Sequence, residues 1–212
     1  MRAAVYHGPR DFRIEDVEEP PPPALGEVTL RVSRNGLCGT DVSEWKHGPH
    51  FAPLRDPHPN SGHVGPTILG HEFLGEVVAV GEDVDGVEVG TRLVSGARVS
   101  CGDCTWCARG RTNLCARYYT LGLHTHGGLA ELVNVPLTTC EVVPDALDDD
   151  VAVLAQPLAV AIHAVRRARP SAGERWMVVG AVGIDLERIR RARAECCRSA
   201  DGRLPAQRLP RT

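Results

Sequence analysis

Eight cysteines and nine histidines are the soft and borderline donors of this 212-residue chain. Four of the cysteines fall in one short run, "CGDCTWCARGRTNLC". Cys101, Cys104, Cys107 and Cys115 follow the spacing C-x2-C-x2-C-x7-C. The two short gaps let successive sulfurs converge from a tight turn, and the longer loop returns the fourth. Four thiolates in a tetrahedron suit zinc and leave no open position, so this site reads as structural. An iron–sulfur cluster, disulfides and free thiols are the competing readings. A second set is looser: Cys38 in "GLCGTD", and His71 with Glu72 in "LGHEFLG". A lone cysteine is more often a small core residue, and a lone histidine more often a hydrogen-bonded one. On spacing alone, a metal site here is the minority reading.

Short β segments separated by Gly, Pro and Asp surround these residues. "MRAAVYHGPRDFRIEDVEEP" reads as two strands about a turn at Gly8-Pro9. A strand is expected from Val28 to Ser33, ending in a turn, and another in "HEFLGEVVAVGEDV" with Gly75 at a tight bend. "TRLVSGARV" and "LAELVNVP" add one strand each. Many short strands with such punctuation predict a small barrel or sandwich up to about residue 145. The character changes near Pro144. "DALDDDVAVLAQPLAVAIHAVRRARP" has acids at a helix start and arginines at a helix end, as the helix dipole favours. Pro157 begins or kinks a second helical piece. "SAGERWMVVGAVG" then predicts a turn, a buried strand and a glycine turn.

The chain is long enough, and apolar enough at 42%, to bury a real core. A formal net charge of -3 gives no reason to expect nucleic acid or an anionic membrane as partner. No apolar run reaches the roughly 20 residues of a membrane span. The amino terminus lacks a signal-peptide plan. A cytoplasmic chain is therefore expected, where cysteines serve as metal ligands more readily than as a disulfide framework.

Taken together, "CGTD", "GHEFLGEVVAVGEDV", the four-cysteine loop, "GGLAEL" and "VVGAVG" resemble the zinc-dependent medium-chain alcohol dehydrogenases, in order and spacing from about residue 1 to 183. "EWKHGPHFAPLRDPHPNSGHVGPTILGHEF" looks like the butanediol dehydrogenase branch, with sorbitol and threonine dehydrogenases as near relatives. The resemblance implies a mixed α/β chain: a GroES-like β-barrel catalytic domain over 1–150, then linker helices and the first strand and turn of a Rossmann domain over 151–183. It implies a catalytic zinc on Cys38 and His71, with Glu72 as ligand or close partner. Gln156 in "AQPLAV" stands where relatives carry an acid. Its neutral carbonyl is the weaker zinc donor, and a bond to a neighbour competes. Thr40 fits the family's proton-relay hydroxyl, against a turn residue capping its own backbone. Zinc with three protein ligands lowers the pKa of an alcohol, whose hydride passes to NAD(H) or NADP(H). Small alcohols or vicinal diols are the implied substrates, and homo-oligomers the usual assembly. Trp45 and His47 line the cleft or simply pack. His163 reads as a core residue, and Cys140, Cys196 and Cys197 have no ligand-like company.

The nucleotide fingerprint departs from the family's G-x-G-x-x-G. Gly180 is present, but Val182 and Asp185 occupy the second and third glycine positions, with Gly183 displaced between them. Valine puts a branched side chain where phosphate should lie, and aspartate puts negative charge where an anion should bind. Beyond Gly183 the chain is arginine-rich, with no second apolar strand and no ribose-binding acid. Residues 184–212 read as an aberrant, out-of-frame or disordered basic tail, in a chain truncated within the Rossmann domain. Two functions compete: a zinc-dependent oxidoreductase, and a zinc-binding remnant of one, without cofactor binding or turnover.

Overall fold

The computed structural model describes residues 1–171 and Met177. The chain divides into two compact units, Met1–Gln156 and Pro157–Thr212. The first unit holds β1 (Arg2–Gly8), β2 (Asp11–Asp16), β3 (Glu27–Gly36), α1 (Gly39–His47), β4 (Thr67–Ile68), β5 (Glu72–Val80), β6 (Arg92–Ser95), β7 (Arg98–Val99), α2 (Thr105–Ala108), β8 (Tyr119–Thr120), β9 (Leu132–Pro136), β10 (Cys140–Val142) and α3 (Asp149–Ala152). The helix α4 (Ala155–Ala168) begins at its end.

Among the described residues all strand pairs are antiparallel. β10-β6-β5-β3-β9 form one sheet, β2-β1-β4 a second, and β7-β8 a third. Alternation is clearest in β9, where Val133 and Val135 are buried and lie opposite Leu30 and Val28. A period of two puts these residues on one face. With Phe73, Val77 and Leu93 they form the main core. Each such side chain contributes about 1.5–3 kcal/mol on burial. Residues 128–131 stitch the first two sheets together: the Ala4 N–H donates to Leu129 O, and Ala3 bridges Ala130.

The strand expected at Val28–Ser33 extends over Glu27–Gly36. It stays paired with β5 along this length by absorbing two register shifts. Gly75 marks no bend; it sits mid-strand beside the second shift. A β-carbon there would lie 2.3 Å from Arg31 O, so close backbone approach is what requires glycine. "TRLVSGARV" is two strands in different sheets, broken at Gly96-Ala97, where Ala97 takes a φ of 56°.

The acids of "DALDDD" open α3, with Asp148 accepting from the Asp150 N–H. The next two acids hold the helix to the sheet. Asp149 meets Ser33 and Arg92, and Asp150 meets Arg34. Pro157 lies in the first turn of α4, where its missing N–H costs nothing. Contrary to the expectation of no span-length run, Asp149–Ala168 is long and apolar enough to cross a membrane by length and composition. The stretch is nevertheless two helices, interrupted at Val153-Leu154. His163 is exposed on α4 and not a core residue; Ala161 and Val165 are the buried positions. The expected strand and glycine turn after residue 177, with Gly180, Val182, Gly183 and Asp185, lie outside the described residues, as do Cys196 and Cys197. Met177 itself is exposed.

Candidate metal centres

The four loop cysteines converge. Sγ separations are 3.5 Å for Cys104–Cys107, 3.4 Å for Cys101–Cys115 and 3.9 Å for Cys101–Cys107. A tetrahedron with metal–sulfur bonds of 2.3 Å has edges of about 3.8 Å, so the cage has the right size. A disulfide needs about 2.05 Å, and all four are free thiols. Backbone amides help form the cage: the Cys101 N–H donates to Cys115 Sγ. The N–H groups of Cys107 and Trp106 hold the Cys104 thiol down at about 6. Burial, then the neighbouring Cys104, pushes Cys107 up to about 12. One thiolate forms readily and the next is resisted, which is the situation a bound cation relieves. Arg117 pairs with Asp103 on the outside of the lobe.

The second set is built from both ends of the 38–71 connection. Cys38 caps α1 as the chain leaves β3, and His71 and Glu72 stand where β5 begins. One ligand atom from each of Cys38, His71 and Glu72 lies within 4.8 Å of the others. Glu72 pairs with Gly36 across β3–β5, and a β-carbon on Gly36 would lie 2.6 Å from Glu72 Oε2. Thr40 Oγ1 is 3.5 Å from Cys38 Sγ, in the first turn of α1.

Asp41 was missed by the sequence reading, although it closes the quoted "CGTD". Its Oδ2 accepts the Cys38 N–H at 2.9 Å, and its Oδ1 lies 3.6 Å from His71 Nδ1. Both atoms of that second pair are buried, and neither has a hydrogen-bond partner in the structure. With Nδ1 turned to a carboxylate, Nε2 is left for a ligand. Burial alone would depress the His71 pKa, but Asp41 and the Cys38 thiol beside it raise it to about 10. Cys38 is lowered in turn, chiefly by His71. A thiolate, an imidazole and two carboxylates gathered in a half-buried recess suit a divalent cation.

His71 is fixed by backbone packing. Gly70 adopts a φ of 94°, and its carbonyl accepts the Gly128 N–H, while Leu69 O accepts from Leu129. Gly122 packs so tightly against it that a β-carbon would lie 2.0 Å from Gly70 O. The "GGLAEL" run therefore clamps the turn that carries the histidine.

Glu44 was also missed. It is wholly buried on α1, one turn beyond Asp41. Its carboxylate accepts the N–H groups of His50, Phe51 and Ala52, and its backbone carbonyl accepts the Tyr6 hydroxyl. Burial and the nearby carboxylate push that phenol up to about 12. Trp45 and His47 are exposed on α1. Gln156 is half-buried in the first turn of α4, and its side chain hydrogen-bonds to none of the described residues. Cys140 is half-buried and a member of neither set.

The profile of the alcohol dehydrogenase GroES-like domain matches residues 24–145. (R,R)-Butanediol dehydrogenase of Bacillus subtilis is 39% identical over 187 residues, covering 88% of this chain and 53% of that protein. L-Galactonate-5-dehydrogenase of Escherichia coli is 34% identical, covering 92% and 54%. Among solved structures, 2R,3R-butanediol dehydrogenase from Bacillus subtilis superposes with a TM-score of 0.81 at 38% identity, over 89% of this chain and 53% of that one. An alcohol dehydrogenase from E. coli CFT073 complexed with NADH superposes at 0.80 with 30% identity, over 93% and 54%. The chain spans about half the length of the curated relatives it matches. Three antiparallel sheets, a four-thiol lobe and a Cys–His–Glu recess thus accompany a family match over most of the first unit: the chain belongs to the alcohol dehydrogenase GroES-like family.

Proposed function

We propose that residues 1–150 are the catalytic domain of a zinc-dependent oxidoreductase that transfers hydride between a secondary alcohol or vicinal diol and NAD(H) or NADP(H). The observation that carries this reading is the convergence of Cys38, His71 and Glu72, with Asp41 behind the histidine. Zinc held there supplies Lewis acidity that lowers the pKa of an alcohol. Asp41 keeps the His71 ring oriented with Nε2 toward the recess, and Thr40 hands the substrate proton outward. Glu72 completes the donor set, and Gln156 is a further neutral oxygen donor. Cys101, Cys104, Cys107 and Cys115 hold the structural zinc. Diols follow from the butanediol, galactonate and sorbitol dehydrogenases among the relatives.

A second reading is a zinc-binding chain without turnover. It is supported by Val182 and Asp185 in place of fingerprint glycines. Metal analysis and titration with NADH separate the two. Two zinc ions per chain and saturable NADH binding support the oxidoreductase. Two zinc ions without NADH binding support the second reading. One zinc ion, held by the thiols alone, overturns the catalytic recess.

A further inference from the structure

The segment between Cys38 and His71 is tied down by histidines that the functional reading does not use. His58 Nδ1 accepts the N–H groups of Asn60 and Ser61 at 3.3 and 3.2 Å. His124 Nδ1 accepts from the Thr120 N–H at 3.0 Å, and His126 Nδ1 accepts from the Ile68 N–H at 3.1 Å. The His58 and His124 rings stack, with centroids 4.3 Å apart and planes 14° from parallel. His63 packs on His126 at 4.5 Å. The two loops are joined further by Asn60 Nδ2 to Tyr118 O and by the Ser61 hydroxyl to His124 O.

An imidazole nitrogen accepts only while it is unprotonated. Each of the three rings must therefore be neutral, with its proton on Nε2. That tautomer argues against metal ligation through Nε2, so the cluster is not a further metal site. His63 differs: the Thr67 hydroxyl donates to Gly65 O, so the His63 ring donates to it and tolerates a proton.

We propose that residues 57–68 form an acid-sensitive latch, closed onto residues 118–126 by neutral His58, His124 and His126 and released when these rings take up protons. Protonation turns four acceptor contacts into donor-against-donor contacts and sets two like charges face to face in the stack. Burial lowers the pKa of His58. Burial and then His58 lower that of His124, against the pull of the Glu44 carboxylate. Burial, with His63 beside it, lowers that of His126 to about 4. The other titratable and charged groups near the cluster are Tyr118, which packs on His124 and lies under Arg98, and His7, Glu15, Glu18, Glu19, Glu27 and Tyr119, which share the groove lined by His126. Because the closed form binds these protons less readily than the open one, the latch is stable above pH 6.5 and weakens as pH falls below it. For a ring moved from 6.5 to about 4, protonation at pH 5 favours the open form by about 30-fold, less where solvent screens it. Opening frees the chain connecting Cys38 to His71, yet the latch stands on its own bonds and requires neither metal reading.

The test is hydrogen exchange on the full chain in zinc-containing buffer at pH 7.5 and pH 5. Rates are expressed as protection relative to the intrinsic rate at each pH. The amides of Asn60, Ser61, Ile68 and Thr120 are expected to lose about 10-fold or more of their protection, while Leu30 and Val77 keep theirs. The combined His58→Asn, His124→Asn and His126→Asn variant places a non-titrating Oδ1 at each Nδ1 position and is expected to abolish the response. Unchanged protection in the parent chain, a loss shared by Leu30 and Val77, or a loss persisting in the variant would each overturn the latch. Should the variant not fold, NMR titration of the parent rings decides: midpoints below 6.5 for His58, His124 and His126 support it, and midpoints at or above 6.5 overturn it.

Discussion

Asp41→Asn separates a His71 that holds a metal from one that is merely buried. The substitution conserves volume, and Asn Oδ1 still accepts the Cys38 N–H that Asp41 now satisfies. Its amide NH2 then faces His71 Nδ1, the atom 3.6 Å from the present carboxylate. Facing a donor, Nδ1 must give up its proton, which moves to Nε2 and blocks the nitrogen left for the ligand role. A full imidazolium–carboxylate pair at that distance is worth about 5 kcal/mol at an effective dielectric of about 20. A metal-binding ring is neutral, however, so the relevant quantity is one N–H facing a carboxylate, which reaches about 1.5–3 kcal/mol once the 3.6 Å gap closes to hydrogen-bond distance on metal binding. That corresponds to roughly 10–100-fold in affinity, the usual effect of removing such a partner. Competition with a chromophoric chelator measures it, with the four-thiol lobe as an internal reference. The expected result is one site weakened by that factor and one unchanged. Equal weakening of both sites, or no weakening of either, would refute the assignment of Asp41.

Five further substitutions test the frame around the site. Cys107→Ser is expected to remove one zinc ion per chain and to unfold residues 98–117 locally, seen as lost stoichiometry and lowered Tm, because structural zinc supplies folding free energy directly. Glu44→Ala leaves the His50, Phe51 and Ala52 amides without their acceptor, and urea unfolding should show a loss of about 3 kcal/mol or more. Glu44→Gln keeps one acceptor oxygen and should lose less. Gly122→Ala forces a β-carbon against Gly70 O at a φ of 75°, and should lower Tm and weaken metal binding at His71 together, while Gly62→Ala, with open space around it, strains only its own backbone.

Strands bounded by Gly, Pro and Asp turns were legible from that punctuation. β1, β2, β5 and β9 all fall within segments expected to be strands. The difficulties came where packing overrides pattern. β3 runs past its apolar stretch because β5 stays paired with it to Gly36. "TRLVSGARV" reads as continuous, but a left-handed Ala97 turns the chain into another sheet. α1 could not be found from apolar spacing because its polarity is inverted: Val42 and Trp45 are exposed, while Asp41 and Glu44 are buried. His163 misleads for the complementary reason, a polar residue among apolar neighbours that faces outward.

That inversion in α1 explains how the candidate site was divided between legible and illegible parts. The four thiols announce themselves by residue type and spacing, whereas Cys38 and His71 stood out only through the family resemblance of their motifs. The groups that aim them do neither, because a buried carboxylate is recognised by its partners and not by its neighbours in sequence. Asp41 and Glu44 are three residues apart, so they share one face of the helix. The first fastens the Cys38 turn and points at His71; the second fastens residues 50–52, the next part of the same connection. The helix thus uses its buried face for ionic anchoring where most small helices use apolar contact. Such anchoring is directional, and direction is what a pair of donors far apart in sequence requires: each must arrive within a few tenths of an ångström of its place, and apolar packing alone leaves more latitude than that.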